Sequence, residues 1–231
     1  MTRVRTVLLD ALGTLLELED PGPLLAGQLA ALGAPVSVDD AQVAVLAEMV
    51  FYKAHHDEAA DREQLADLRR RCAEVLCDAL PPAAQGLGVP RLTHALLGAL
   101  RFRPYPEVPA ALGLLRERGH TLFVLSNWDI SLHDQLAATG LAPLLDGAVS
   151  SAEVGAGKPN PRIYERALEL AGAQADDAVM VGDSPDTDVA GALALGIPAV
   201  LVDRAGTAVA PEGAHLAGSL AEIPALIESL G

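Results

Sequence analysis

The sequence predicts an α/β protein, a doubly wound parallel sheet with a helical domain inserted after its first strand. Three observations carry this prediction. A short apolar run from Val4 to Leu9 ends in Asp10 and then in turn chemistry at Gly13. From about residue 104 onward, strand-like and helix-like patterns alternate. Between these, across residues 17–103, apolar side chains recur only at helical spacing. Alternating strands and helices build a parallel sheet, because each crossover between parallel strands is made by a helix that covers one face.

The 231 residues fit one large domain or a domain carrying a smaller insert. With 51% hydrophobic but only 3% aromatic residues, the core must be made of Leu, Val and Ala. No apolar run reaches the roughly 18 residues of a membrane span, and Thr2-Arg3 leads straight into a strand pattern without a signal-peptide core, so a cytoplasmic protein is expected. A formal net charge of -15 opposes nucleic acid and anionic membranes, and neither is expected as a partner. The densest basic run, Arg69-Arg70-Arg71, is interleaved with Asp67 and Glu74 and reads as a solvated helix face. Cys72 and Cys77 lie five apart on a helical pattern, form no CxxC motif, and read as reduced thiols. Nothing in the sequence indicates an oligomeric state.

Taken in order, the first strand closes at Asp10, where the ligand crevice of an open α/β sheet lies. Glu17 to Pro23 is polar and turn-rich, and helices are predicted over Leu24 to Leu32, from Asp39-Asp40 through Phe51, over Leu65 to Ala79, and over Leu92 to Leu100. Arg103-Pro104-Tyr105-Pro106 reads as a stiff linker, since each proline fixes its own φ and holds its predecessor extended. The alternation then gives a helix at Val108 to Arg118, a strand at Thr121 to Leu125, a helix at Ser131 to Thr139 and a strand at Ala148 to Ser150. A helix at Pro161 to Ala171, a strand at Ala178 to Val181, a helix at Asp186 to Leu195, a strand at Pro198 to Val202 and a helix at Ile223 to Leu230 complete it. Core segments 1–16 and 104–231 would thus flank a helical domain at 17–103.

Four stretches carry polar groups suited to an anionic electrophile. Asp10 ends the first strand, and Ser126-Asn127 ends another just before a helix N-terminus, where backbone N–H groups favour an anion. Lys158 follows a loop of small residues in a chain whose default cation is Arg, with Lys used only twice among sixteen basic residues. A compact point charge is therefore wanted there. Finally, Gly182-Asp183-Ser184-Pro185-Asp186-Thr187-Asp188 gathers three carboxylates, a repulsive cluster that a hard cation such as Mg²⁺ would relieve.

These four stretches, in this order and spacing, resemble the motifs of the haloacid dehalogenase-like hydrolase superfamily with a helical cap of the first type (C1). The resemblance implies a Rossmann-like core, a cap at residues 17–103, and a small anionic, phosphorylated substrate. It implies that Asp10 is the nucleophile that forms a covalent aspartyl intermediate, with Lys158 neutralising charge beside it. Ser126, Asn127 and Lys158 would bind the substrate, Thr14 would steady the nucleophile turn, and Asp10, the Leu12 carbonyl, Asp183 and Asp188 would serve Mg²⁺. The sequence departs from the phosphatases of the superfamily at Leu12, where they carry a second Asp for proton transfer. Loss of such a group costs roughly 10²- to 10⁴-fold in rate. Asp10-Ala11-Leu12-Gly13-Thr14 is also close to the first motif of 2-haloacid dehalogenases, whose halide leaves without a proton. The leading expectation is a Mg²⁺-dependent phosphate-ester hydrolase; the alternatives are a 2-haloacid dehalogenase and a non-catalytic binding or regulatory homologue. His55-His56, Arg62 and Trp128 are further candidates for substrate contacts.

Overall fold

In the computed structural model, residues 4–230 are described; Thr2 and Arg3 lie outside them. Contacts divide the chain into two units, one formed by residues up to Glu17 and from Pro104 onward, the other by Leu18–Arg103.

The first unit is a six-stranded parallel sheet in the order β5-β4-β1-β6-β7-β8. Its strands are β1 (Thr6–Leu9), β4 (Thr121–Ser126), β5 (Gly147–Ser150), β6 (Ala178–Gly182), β7 (Ala199–Val202) and β8 (Ala214–Ala217). β1, β6 and β7 are buried along their whole length, as apolar runs covered on both faces should be. β1 pairs with β4 on one side (Thr6 opposite Thr121) and with β6 on the other (Thr6 opposite Ala178). The chain therefore reverses direction across the sheet at β1, and a crevice opens beyond the carboxyl ends at such a point. Helix α9 (Pro161–Ala171) packs on β4 and β5, and Ile163, Tyr164 and Ala167 join Leu8, Phe123, Leu125 and Met180 in one buried cluster. Helix α6 (Val108–Glu117) packs on β4, and α11 (Ile223–Leu230) packs on α6.

The second unit is helical: α1 (Pro21–Ala31), α2 (Val38–His55), α3 (Arg62–Ala79), α4 (Pro82–Gln85) and α5 (Val89–Ala99). α1 and α3 each pack on both α2 and α5, closing a four-helix ring around Leu25, Leu29, Val45, Leu68, Leu76, Leu92 and Leu96. Asp20, Ser37 and Asp61 cap α1, α2 and α3 by accepting from the N–H groups of Gly22, Asp40 and Gln64. Arg70 pairs with Asp67 and Glu74, and Arg71 with Glu58 and Asp67, so two of the three arginines of the basic run are neutralised within the unit. Neither Cys72 nor Cys77 forms a disulfide. Among the described residues, no helix is long and apolar enough to cross a membrane.

Four local expectations are corrected. Helix α1 starts at Pro21 inside the stretch read as turn-rich, because Asp20 caps it and proline fits a first turn that needs no N–H donor. The stretch read as a stiff linker begins as a strand: β3 (Phe102–Pro104) pairs with β2 (Leu16–Leu18) in a two-stranded ribbon, where an edge tolerates proline. The helix predicted over Asp186 to Leu195 is instead a π-type turn at Pro185–Val189 followed by the short α10 (Ala190–Leu193). β8, two of whose residues are exposed, has no apolar run to announce it.

Candidate active site

Backbone pairing brings the candidates to one sheet edge. The Asp10 N–H donates to the Val181 carbonyl at 3.0 Å, extending the β1–β6 ladder to the end of β1. Ser126 ends β4, the neighbour on the other side. Lys158 follows β5 by way of the short helix α8 (Ser151–Val154), whose left-handed C-cap is Gly155. Asp10, Ser126, Lys158 and Asp188 are all buried, whereas Asp183 is exposed.

The polar contacts converge on Asp10. Ser126 Oγ donates to Asp10 Oδ1 at 3.1 Å, and Lys158 Nζ donates to the same oxygen at 2.5 Å. The Lys158 ammonium also lies 2.6 Å from Asp188 Oδ1, so one cation bridges two buried carboxylates. Asp188 Oδ2 accepts from the Ser184 N–H at 3.0 Å, which engages both of its oxygens. The wide π-type turn returns Asp188 to the strand end, where it crosses Gly182 so closely that a Cβ on Gly182 would collide with the carboxylate. Tyr164 holds this turn from below, its hydroxyl donating to the Thr187 carbonyl at 2.5 Å and to the Asp188 carbonyl at 3.2 Å.

Asn127 braces Lys158 at two points, accepting from its backbone N–H at 2.6 Å and donating to its carbonyl at 2.9 Å. It thus positions the lysine through the main chain. Gly13, at φ +91°, brings the turn after Asp10 so close to Asp183 that a Cβ there would collide with that carboxylate. Only glycine combines this backbone geometry with such an approach. The Thr14 hydroxyl is buried without a hydrogen-bond partner.

One oxygen each from Asp10, Asp183 and Asp188 lies within 4.8 Å of the others. Burial raises the Asp10 carboxyl to about 7, with Lys158 pulling it down and Asp188 and Asp183 pushing it up. Although Asp183 is exposed as a residue, its carboxylate is partly desolvated against the Gly13 turn, and that desolvation, followed by Asp188, raises it as well. Burial opposes the charge on Lys158, but Asp10 and Asp188 outweigh it, so the ammonium is held more firmly protonated than usual. The site is a surplus of carboxylate with one built-in cation, which leaves attraction for another.

Of the remaining sequence candidates, Trp128 is buried, and its backbone N–H donates to Ser151 Oγ at 3.1 Å. His55 stacks on Phe51, His56 pairs with Asp57 at 2.7 Å, and Arg62 is exposed at the start of α3. Asp186 is exposed on the π-type turn. Two residues of the site edge escaped sequence reasoning. Tyr164 looks like any core aromatic of an amphipathic helix, and Arg204 looks like any surface arginine.

A phosphoserine phosphatase of Thermus thermophilus is 43% identical over 105 residues, 45% of this chain and 42% of that protein. Haloacetate dehalogenase H-2 of a Moraxella species is 36% identical over 110 residues, 47% of this chain and 49% of that protein. The chain thus spans about half the length of these curated relatives. A 2-haloacid dehalogenase structure from Pseudomonas syringae superposes with a TM-score of 0.71 at 24% identity, covering 99% of this chain and 100% of that one. A HAD phosphatase structure from Thermococcus onnurineus gives 0.66 at 24%, covering 97% and 98%. At these identities the structural likeness is one of fold. Residues 4–196 match the haloacid dehalogenase-like hydrolases, and the chain belongs to that family.

Proposed function

We propose that this chain hydrolyses a small phosphate monoester through Asp10, with Mg²⁺ as cofactor. The observation that carries the reading is the acidic trio of Asp10, Asp183 and Asp188 at one sheet edge, a set of hard oxygen donors that a divalent cation would stabilise. Phosphatase relatives, among them a glyceraldehyde 3-phosphate phosphatase of Methanothermobacter thermautotrophicus at 38% identity over 103 residues, support it. Asp10, Asp183 and the Leu12 carbonyl would hold the ion, and Asp188, whose oxygens engage Lys158 and Ser184, would support the site from behind. Bound there, Mg²⁺ supplies positive charge against the phosphoryl oxygens.

The chain's own groups account for the rest. Both side-chain bonds to Asp10 fall on Oδ1, so Oδ2 is the atom presented for attack on phosphorus. As the Asp10–phosphorus bond forms, the bond to the leaving oxygen breaks, and that oxygen departs with its electron pair. Ser126 and Lys158 would donate to the transferred group, and Lys158 would hold the two anions in contact. Water then attacks phosphorus, the bond to Asp10 breaks, and inorganic phosphate leaves with the carboxylate restored. Leu12 has no proton to give, so the leaving oxygen takes its proton from solvent. The chemistry therefore favours esters of acidic alcohols. Residues 17–103 would act as a cap that selects the substrate.

The same observation at Leu12 favours one rival, a 2-haloacid dehalogenase in which Asp10 displaces halide from carbon. Release of phosphate from p-nitrophenyl phosphate and of chloride from 2-chloropropionate, each with Mg²⁺ and with EDTA, separates them. We expect phosphate release that requires Mg²⁺ and disappears in Asp10→Asn. Chloride release indifferent to EDTA would establish the rival, and inactivity toward both by the folded protein would dismiss both.

A further inference from the structure

We infer that Arg204 is a positioning residue that fixes the nucleophile turn. The inference rests on the reading of Asp10 as nucleophile, and it concerns a side chain that touches none of the groups assigned above to the reaction. Arg204 lies two residues past the end of β7, at the same carboxyl edge of the sheet as Asp10, Ser126 and Asp183. Its guanidinium is engaged on every side. Nε donates to the Gly13 carbonyl at 3.2 Å and Nη2 to the Thr14 carbonyl at 2.8 Å. Nη1 pairs with Glu107 at 2.6 Å, and the plane lies over the Tyr105 ring, 3.4 Å from Cζ to the centroid.

The gripped residues are those on which the site depends. Gly13 is the point where the turn meets the Asp183 carboxylate, and Thr14, whose hydroxyl has no hydrogen-bond partner, gives the turn no side-chain anchor of its own. Within the turn, Gly13 N–H bonds to the Leu16 carbonyl, and Leu15 and Leu16 N–H both bond to the Ala11 carbonyl. The outward carbonyls of Gly13 and Thr14 are held by Arg204. Tyr105, under the guanidinium, donates its own N–H to the Leu15 carbonyl at 3.2 Å, so one cation ties the nucleophile turn to the returning strand and to the start of α6. A fork of fixed geometry suits this task, whereas an ammonium would offer a charge without the two-point grip. Small misplacements of a reacting group carry large penalties, about 10²-fold for roughly 1 Å.

The test compares Arg204→Met and Arg204→Lys with Arg116→Met. Arg116 also binds a carbonyl and a carboxylate, Leu144 and Asp146, through Nη1 alone and on a different strand connection, so it controls for the loss of a surface arginine with such partners. We expect both Arg204 variants to lose about 10- to 100-fold in kcat, with KM changed less than about threefold and folding retained. Arg116→Met should keep kcat within about twofold for a similar change in melting temperature. Hydrogen exchange supplies a readout independent of turnover: in Arg204→Met the amides of Gly13, Leu15 and Leu16 should exchange at least about tenfold faster, while those of β4 stay unchanged. Unaltered exchange in the turn, full activity in Arg204→Lys, or an equal loss in Arg116→Met would each overturn the inference. If the parent protein turns over neither substrate, the functional proposal fails, and exchange alone decides the role of Arg204.

Discussion

In the proposed reaction, Leu12 is the residue on which the choice of leaving group turns. It is only partly buried, so an Asp there need not become a buried unpaired charge. Leu12→Asp should raise turnover of alkyl phosphates about 10- to 100-fold more than turnover of p-nitrophenyl phosphate, because an alkoxide must be protonated as it leaves and a nitrophenolate need not. Paired initial-rate measurements decide this; equal gains on both substrates would show that the new carboxylate acts only as a base. The residues around Leu12 were legible because chemistry and punctuation coincide there: Asp10 ends an apolar run, Lys158 follows three small residues, and Asp183 follows a strand-ending glycine. Arg204 was not legible. Its partners are main-chain carbonyls 190 and 191 residues away, and in a chain whose default cation is Arg nothing sets it apart from a solvated one.

At the scale of elements, the sequence located helices and strands wherever a pattern ran long enough, and missed those set by local hydrogen bonds. Helix α8 is an example. A capping box builds it, Ser150 Oγ accepting from the Glu153 N–H while the Glu153 carboxylate accepts from the Ser150 N–H. The same carboxylate lies 3.1 Å from His133 on helix α7 (Leu132–Ala138). The hydrogen bond that the imidazole donates to Glu153 raises His133, while Glu153, despite the upward push of burial, is lowered by His133 and the Ser150 backbone. A raised histidine stabilises the fold fully below its unfolded value near 6.5, and that stabilisation fades as pH rises through the folded value. The lowered carboxylate contributes above its unfolded value near 4.5 and fades as pH falls through its folded one. The pair is therefore strongest between those two values. With side chains partly exposed, His133→Gln should cost about 0.5 kcal/mol at pH 5.5 and nothing measurable at pH 9, by urea unfolding. An equal cost at both values would show packing rather than charge. The π-type turn was hidden for a related reason: its width is set by Asp188 folding back to the Ser184 N–H, which no periodicity records.

For the molecule as a whole, the fold class was written in the alternation after residue 104, whereas the sheet order was not, because pairing partners are chosen by distant segments. The net charge of -15 was plain from the start and bears on how an anion arrives. The buried Lys158 is balanced by two carboxylates, so the long-range field repels a phosphate ester until ions screen it. kcat/KM for p-nitrophenyl phosphate should therefore rise roughly two- to fivefold between about 10 and 150 mM NaCl at fixed Mg²⁺, as the Debye length shrinks from about 30 to about 8 Å. A fall over that range in steady-state kinetics would mean that a local basic surface steers the substrate.

The central place of β1 also has a bearing on how the chain is made. The ribosome releases the strand ahead of Asp10 before either of its neighbours in the sheet, which begin at Thr121 and Ala178. The helices of the insert close over short stretches of chain, so they can assemble while β1 is still waiting. Lys158 and Asp188 can reach Asp10 only after β5 and β6 respectively have been made. A nascent chain thus carries the Asp10 carboxylate without its counter-charge until both of these distant segments have been made.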